Sequence, residues 1–165
     1  MQRRNEEIMR QYSYPSAYAK ISGNADNPSL HGIAYFYPVP FGGVLVETEV
    51  YGLPYKNVPP YSQFYGMHIH ETGDCSLPFD KTGSHYNPHG LPHPEHAGDL
   101  LPLLGNDGYA YSVFYTDRFE LPEIIGRSLI LHDSPDDFTT QPAGNSGVKI
   151  GSGVIMENIM YPMPQ

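Results

Sequence analysis

The stretch "VLVETEVY", residues 44–51, decides the fold class. Val44, Val46, Thr48 and Val50 fall on one face and Leu45, Glu47 and Glu49 on the other, the alternation of a strand with one packed and one wet face. Outward from it the pattern repeats as short apolar or alternating runs broken by turns. Strands are expected near 17–22 ("AYAKIS") and 30–38, then in "FYGMHIHE" (64–71), "GNDGYAYSVFYTDRFEL" (105–121), "GRSLILHDS" (126–134) and "GVKIGSGVIME" (147–157). Seventeen glycines and 17 prolines supply the turns, and long helices are not evident. Seven or eight strands with loops of unequal length, the longest between 71 and 108, predict an all-β Greek-key β-sandwich or flattened eight-stranded barrel.

At 165 residues the chain fits one domain. We place it at 17–156, after an N-terminal arm (1–16) and before a C-terminal tail (157–165). Nine Lys and Arg against 18 Asp and Glu leave a net charge of −9, which argues against nucleic acid or an anionic membrane surface as a partner. The single cysteine, Cys75, excludes an intrachain disulfide. The opening "MQRRNEEIMRQYSYP" holds no apolar leader core and no run is long enough to span a membrane, so a cytoplasmic protein is expected.

The chemistry-bearing residues lie in three places. In "GMHIHE", His68 and His70 are two apart, so on a strand both rings project from one face and can converge on one ion. His132 ends the apolar run "SLILH", where a strand leaves the core. In "GSHYNPHGLPHPEHAGDL" (83–100), His85, His93, His96 and Asp99 offer three nitrogens and one oxygen, a set suited to a closed tetrahedral zinc site. Sites of three or four imidazoles with an accessible position suit copper instead. Eight histidines suffice for two metals if one ring is shared.

The blocks "GMHIHETGD", "GSHYNP", "HAGDL", "GRSLILHDSPDD" and "GNSGVKIGSGVI" resemble, in order and spacing, the signature blocks of the copper/zinc superoxide dismutase family, over residues 17–156. The resemblance implies that family's barrel, copper and zinc as cofactors, and superoxide as the small-molecule substrate. It implies copper ligands His68, His70, His85 and His132, and zinc ligands His85, His93, His96 and Asp99, with His85 bridging the two ions and passing a proton. His89 competes with His93, but its closeness to the Asn87-Pro88 turn fits less well. His31 is expected to be structural or on the surface. Asp136 matches the carboxylate that links a copper histidine to a zinc histidine, a contact that orients both rings.

Two departures from the family pattern matter. Lys149 stands where the family carries an arginine beside copper, keeping the charge that attracts an anion and losing the planar two-pronged donor. Ser152 stands where the family's loop disulfide would have its second cysteine, so the loop after residue 71 is expected to depend on zinc for order. A homodimer is an assembly the resemblance allows. The alternative to an enzyme is a dismutase-like protein that binds zinc or copper for storage, delivery or structure with little turnover.

Overall fold

The strands form where the alternating runs predict them. In chain order they are β1 (Ala17–Gly23), β2 (His31–Pro38), β3 (Val44–Tyr51), β4 (Phe64–Tyr65), β5 (Met67–His70), β6 (Leu103–Leu104), β7 (Tyr109–Thr116), β8 (Ser128–His132) and β9 (Lys149–Glu157). Among the described residues a 3-10 turn, Asp80–Thr82, and a one-turn helix α1, Leu121–Ile124, complete the regular elements. The computed structural model describes residues 14–55 and 64–160. Most of the N-terminal arm, most of the connection at 53–62 and the end of the tail lie outside the described residues.

Seven strands make one antiparallel sheet in the order β5-β8-β9-β1-β2-β3-β7, and β4 pairs with β6 in a separate ribbon. The chain crosses from β5 at one edge to β7 at the other through 71–108 and returns through 117–127 to β8, which is the Greek-key crossing. The ribbon joins the edges: β4 runs into β5 across Gly66, and β6 leads through 105–108 into β7. The strand expected at 64–71 is therefore split. Gly66 gives its amide to the Ser134 carbonyl (2.8 Å) and accepts from the His132 amide (2.9 Å), while Tyr65 pairs with Leu103. The short strand at Leu103–Leu104 carries no alternation and was not expected.

The core lies on the concave side. Val44, Val46, Thr48 and Val50 are buried on β3 as the alternation requires, facing Ala17, Ala19 and Ile21 of β1, Ala34 and Phe36 of β2, and Leu129 and Leu131 of β8. Each fully buried Val, Leu, Ile or Phe contributes about 1.5–3 kcal/mol relative to exposure. Thr48 is the polar exception, its hydroxyl directed at the Met67 sulfur (3.9 Å). On the outer side Glu47 accepts from Tyr37 (2.7 Å) and Tyr111 (2.9 Å), and Glu49 from Tyr51 (2.7 Å) and Tyr109 (3.1 Å), so phenols share the wet face with carboxylates. No helix among the described residues is long and apolar enough to cross a membrane.

Two strands break the wet-and-dry rule. Every residue of β5 and of β8 is buried. Met67, Ile69, Leu129 and Leu131 turn inward, and the opposite face carries His68, His70, Ser128, Ile130 and His132, which the loops 71–102 and 133–148 cover.

Candidate metal centre

β5 is an edge strand of the large sheet, and the long loop returns to pair with its free side. The Ile69 amide donates to the Gly98 carbonyl (2.9 Å), the Tyr86 amide to the Ile69 carbonyl (2.8 Å) and the Gly98 amide to the Tyr86 carbonyl (2.8 Å). These bonds set His85 opposite His70 and Asp99 opposite His68 as isolated bridges. A β-carbon at Gly98 would stand 2.2 Å from the Ile69 carbonyl oxygen, so only glycine permits this approach. Satisfying the edge of β5 is thus what carries His85 and Asp99 of the loop to His70 and His68 of the strand.

Two donor groups result. His68, His70, His85 and His132 form one, and His85, His93, His96 and Asp99 the other, all buried, with the donor atoms of each group within 4.8 Å of one another. The residues expected from sequence are the ones brought together. His85 belongs to both groups. Its ring stacks against His68 at 3.9 Å between centroids, and its Nδ1 lies 2.6 Å from Asp99 Oδ1. His89 is exposed and belongs to neither group; His31 is exposed, bonded to the Ser29 carbonyl and stacked on Tyr51.

The remaining ring nitrogens fix the orientation. His68 Nε2 donates to Asp136 Oδ2 (2.8 Å) and His93 Nε2 to Asp136 Oδ1 (2.9 Å), so this fully buried carboxylate spans both groups. His70 Nδ1 donates to the Gly83 carbonyl (2.9 Å) and His132 Nδ1 to that of Gly147 (3.3 Å). Such partners settle the tautomer and leave the other nitrogen's lone pair for an ion. The nitrogens left over are His68 Nδ1, His70 Nε2, His85 Nε2, His93 Nδ1, His96 Nδ1 and His132 Nε2, all buried without a hydrogen bond. His93 Nδ1 and His96 Nδ1 lie 3.0 and 3.3 Å from Asp99 Oδ2 without a hydrogen bond to it.

Leaving buried polar atoms unpaired costs about 1–3 kcal/mol each, a penalty that coordination removes. The four-imidazole group suits copper and the three-imidazole, one-carboxylate group suits zinc. Burial pushes His68 down, and likewise His70 to about 2 and His132 to about 3, so these three rings are neutral at physiological pH, the form in which imidazole can hold a metal. Burial alone would raise Asp136, yet hydrogen bonds from His68, the Phe138 amide and His93 hold it at about 2. Asp99 is likewise lowered against the pull of burial, by His85 first and then by His93 and His96.

A cleft of about 480 Å³ opens onto the first group and is lined by His70, His85, His132, Glu71, Pro142 and Lys149. The Lys149 ammonium gives its hydrogens to Thr82 Oγ1 (2.8 Å) and to the carbonyls of Gly83 (3.2 Å) and Phe79 (3.4 Å). It therefore also ties β9 to the long loop. Other ties act beside it: Arg127 Nη1 donates to the Glu71 carbonyl (2.7 Å), Ser128 Oγ to that of Thr72 (2.7 Å), and Ser152 Oγ to Cys75 Sγ (2.8 Å). Ser152 thus meets Cys75, the pairing of positions that the family resemblance implied. A Ser152→Cys protein is expected to close a disulfide with Cys75 under mild oxidation and gain about 2 kcal/mol in denaturant unfolding, since it cross-links positions far apart in the chain. Failure of the thiols to pair would show that the loop sits elsewhere.

Sequence reading passed over Thr82, which carries no signal beyond its place in "DKTGSH", and Gly144. Gly144 has φ +63°, and a β-carbon on it would stand 1.9 Å from Asp136 Oδ1 and 2.7 Å from His93 Nε2. Its signal was the "AGNSG" cluster before the last strand.

The family model described as copper/zinc superoxide dismutase (SODC) matches residues 30–155. A superoxide dismutase [Cu-Zn] of Deinococcus radiodurans is 36% identical over 145 residues, covering 74% of this chain and 75% of its own length. Superoxide dismutase [Cu-Zn] 2 of Aquifex aeolicus is 36% identical over 129 residues, covering 68% and 72%. Among solved structures, the crystal structure of the clock protein EA4 superposes with a TM-score of 0.74 at 30% identity, covering 89% of this chain and 98% of that one.

Proposed function

Because the chain belongs to the copper/zinc superoxide dismutase family, an oxidoreductase family that uses both metals, we propose that it disproportionates superoxide to oxygen and hydrogen peroxide with His68, His70, His85 and His132 holding copper and His85, His93, His96 and Asp99 holding zinc. The observation that carries the reading is the place of His85 in both donor groups. Copper supplies the one-electron oxidation and reduction of superoxide, and zinc a fixed positive charge.

The protein's part is to admit a small anion, hold the rings and move a proton. The cleft reaches His70, His85 and His132 together. Lys149 draws the anion there by charge, because its hydrogens are engaged with Thr82, Gly83 and Phe79. Among the histidines of the first group, His85 is the one whose outer nitrogen faces the second group, through Asp99; the others commit theirs to Asp136, Gly83 and Gly147. In this reading His85 Nε2 takes up a proton in one half of the cycle and releases it to the peroxide product in the other, with water giving the second proton.

The catalytic unit in this reading is 17–156, Asp136 orients His68 and His93, and the setting is cytoplasmic, supported by the lone cysteine. One relative is named an extracellular form, so compartment varies among related chains. A homodimer belongs to the same proposal. The test is superoxide decay after pulse radiolysis, on protein with measured copper and zinc contents. Decay should accelerate in proportion to copper and stay at the buffer rate in protein holding zinc alone. Decay at the buffer rate with both metals bound would sink the proposal and favour a metal-storing or metal-delivering scaffold.

A further inference from the structure

The turn that carries three of the second group's ligands, His93 to Asp99, is gripped from outside by two side chains that hold no metal. Arg118 follows β7 and is exposed, yet its Nη1 lies 2.7 Å from the Pro94 carbonyl, 3.2 Å from that of His96 and 3.3 Å from that of Asp99. No carboxylate pairs with it among the described residues, so its charge is turned on these three oxygens. On the other flank the Gln141 side chain engages both backbone groups of His93. Its Oε1 accepts the His93 amide (3.0 Å) and its Nε2 donates to the His93 carbonyl (2.6 Å), as a neighbouring strand would.

Between these grips the turn closes on itself. The His96 amide donates to Asp99 Oδ2 (3.0 Å) and the Asp99 amide to the His96 carbonyl (3.2 Å), which is one of the oxygens Arg118 holds. With the carbonyls drawn outward to the guanidinium, the side chains of His96 and Asp99 turn inward to meet His85 and His93. A free loop would lose entropy on ordering three ligands around an ion; here the backbone that carries them is already bonded.

We propose that Arg118 and Gln141 are positioning residues of the zinc subsite, setting its zinc affinity through the backbone of 93–99 without touching the ion. This rests on the reading of His85, His93, His96 and Asp99 as zinc ligands. A planar guanidinium reaching several carbonyls and an amide pairing in two prongs are both geometries that a lysine or an alanine cannot copy.

The experiment titrates zinc against a chelating dye in the parent, Arg118→Ala, Arg118→Lys and Gln141→Ala proteins. Cobalt(II) serves as a spectroscopic stand-in at the same subsite, copper affinity is measured at saturating zinc, and unfolding is followed without metal. Each alanine variant should bind zinc about tenfold more weakly, the range found when a ligand's support is removed, with Arg118→Lys recovering part of the loss. The cobalt ligand-field bands should shift in the alanine variants, while copper affinity and metal-free unfolding stay close to the parent. Zinc affinity within twofold of the parent in both alanine variants overturns the proposal, as does an equal fall in copper and zinc affinity accompanied by lower metal-free stability. A parent protein that takes up no zinc, or that binds it as well with Asp99→Ala, would instead overturn the ligand assignment on which the proposal stands.

Discussion

Superoxide decay catalysed by a His132→Ala protein is expected to fall by more than about 100-fold under loading conditions that saturate the parent, while zinc content stays unchanged. Changes to residues that merely support a ligand already cost 10- to 100-fold, and His132 is a donor itself in the proposed copper set. Its aim depends on the end of β8: the ladder to β9 pairs Leu131 with Gly151 and His132 with Lys149, so Ile150 is the extra residue of a bulge. The bulge sets the imidazole beside His68, 4.9 Å between ring centroids, with Nδ1 on the Gly147 carbonyl and Nε2 unpaired. Alanine there removes a donor from the first group and touches none of the second, which separates this variant from any that loosens the whole loop. His89→Ala is the matched control, since its ring is exposed and in neither group, and it should decay superoxide at the parent rate. Retained turnover in His132→Ala with copper bound would remove His132 from the ligand set.

How much of this was legible in the sequence follows from how local each signal is. The alternation of β3 reported its own burial, because a strand's two faces are written into neighbouring residues. His68 and His70 were legible for the same reason, and the loop histidines by their density. The family resemblance added roles, and the geometry gathers the residues it named into two groups able to hold a metal ion. What stayed hidden is what depends on backbone meeting backbone far along the chain. The carbonyls that receive Lys149 and Arg118 leave no residue-type signature, and the pairing of Tyr86 and Gly98 with Ile69 and the break at Gly66 show in the sequence only as glycines, without the distant partners that require them. Lys149 shows the difference well: its charge could be read from sequence, but its role as a tie to Thr82, Gly83 and Phe79 could not.

Gly144→Ala should destabilise the protein by about 4 kcal/mol or more, whereas Gly90→Ala should cost about 1 kcal/mol. The two glycines share φ +63°, so the left-handed backbone penalty of an added β-carbon is common to both. They differ in surroundings: nothing lies within 4 Å of a β-carbon at Gly90, but at Gly144 it would stand 1.9 Å from Asp136 Oδ1, 2.5 Å from Asp136 Cγ and 2.7 Å from His93 Nε2. Asp136 has no room to yield, because its oxygens hold His68, His93 and the Phe138 amide. Gly144 cannot retreat cheaply either, since its amide donates to the Thr140 carbonyl (2.7 Å) and its carbonyl accepts from the Asp137 amide (2.9 Å). Relief therefore means breaking the carboxylate bridge and leaving buried ring N–H groups unpaired, each about 1–3 kcal/mol. Denaturant unfolding of both variants at unchanged m-value isolates the clash as the difference between them. Metal titration adds a second reading, with both copper and zinc weakened in Gly144→Ala and neither in Gly90→Ala. Equal unfolding midpoints for the two variants would mean that Asp136 does not stand between the histidines, and the carboxylate bridge between the two donor groups would have to be abandoned.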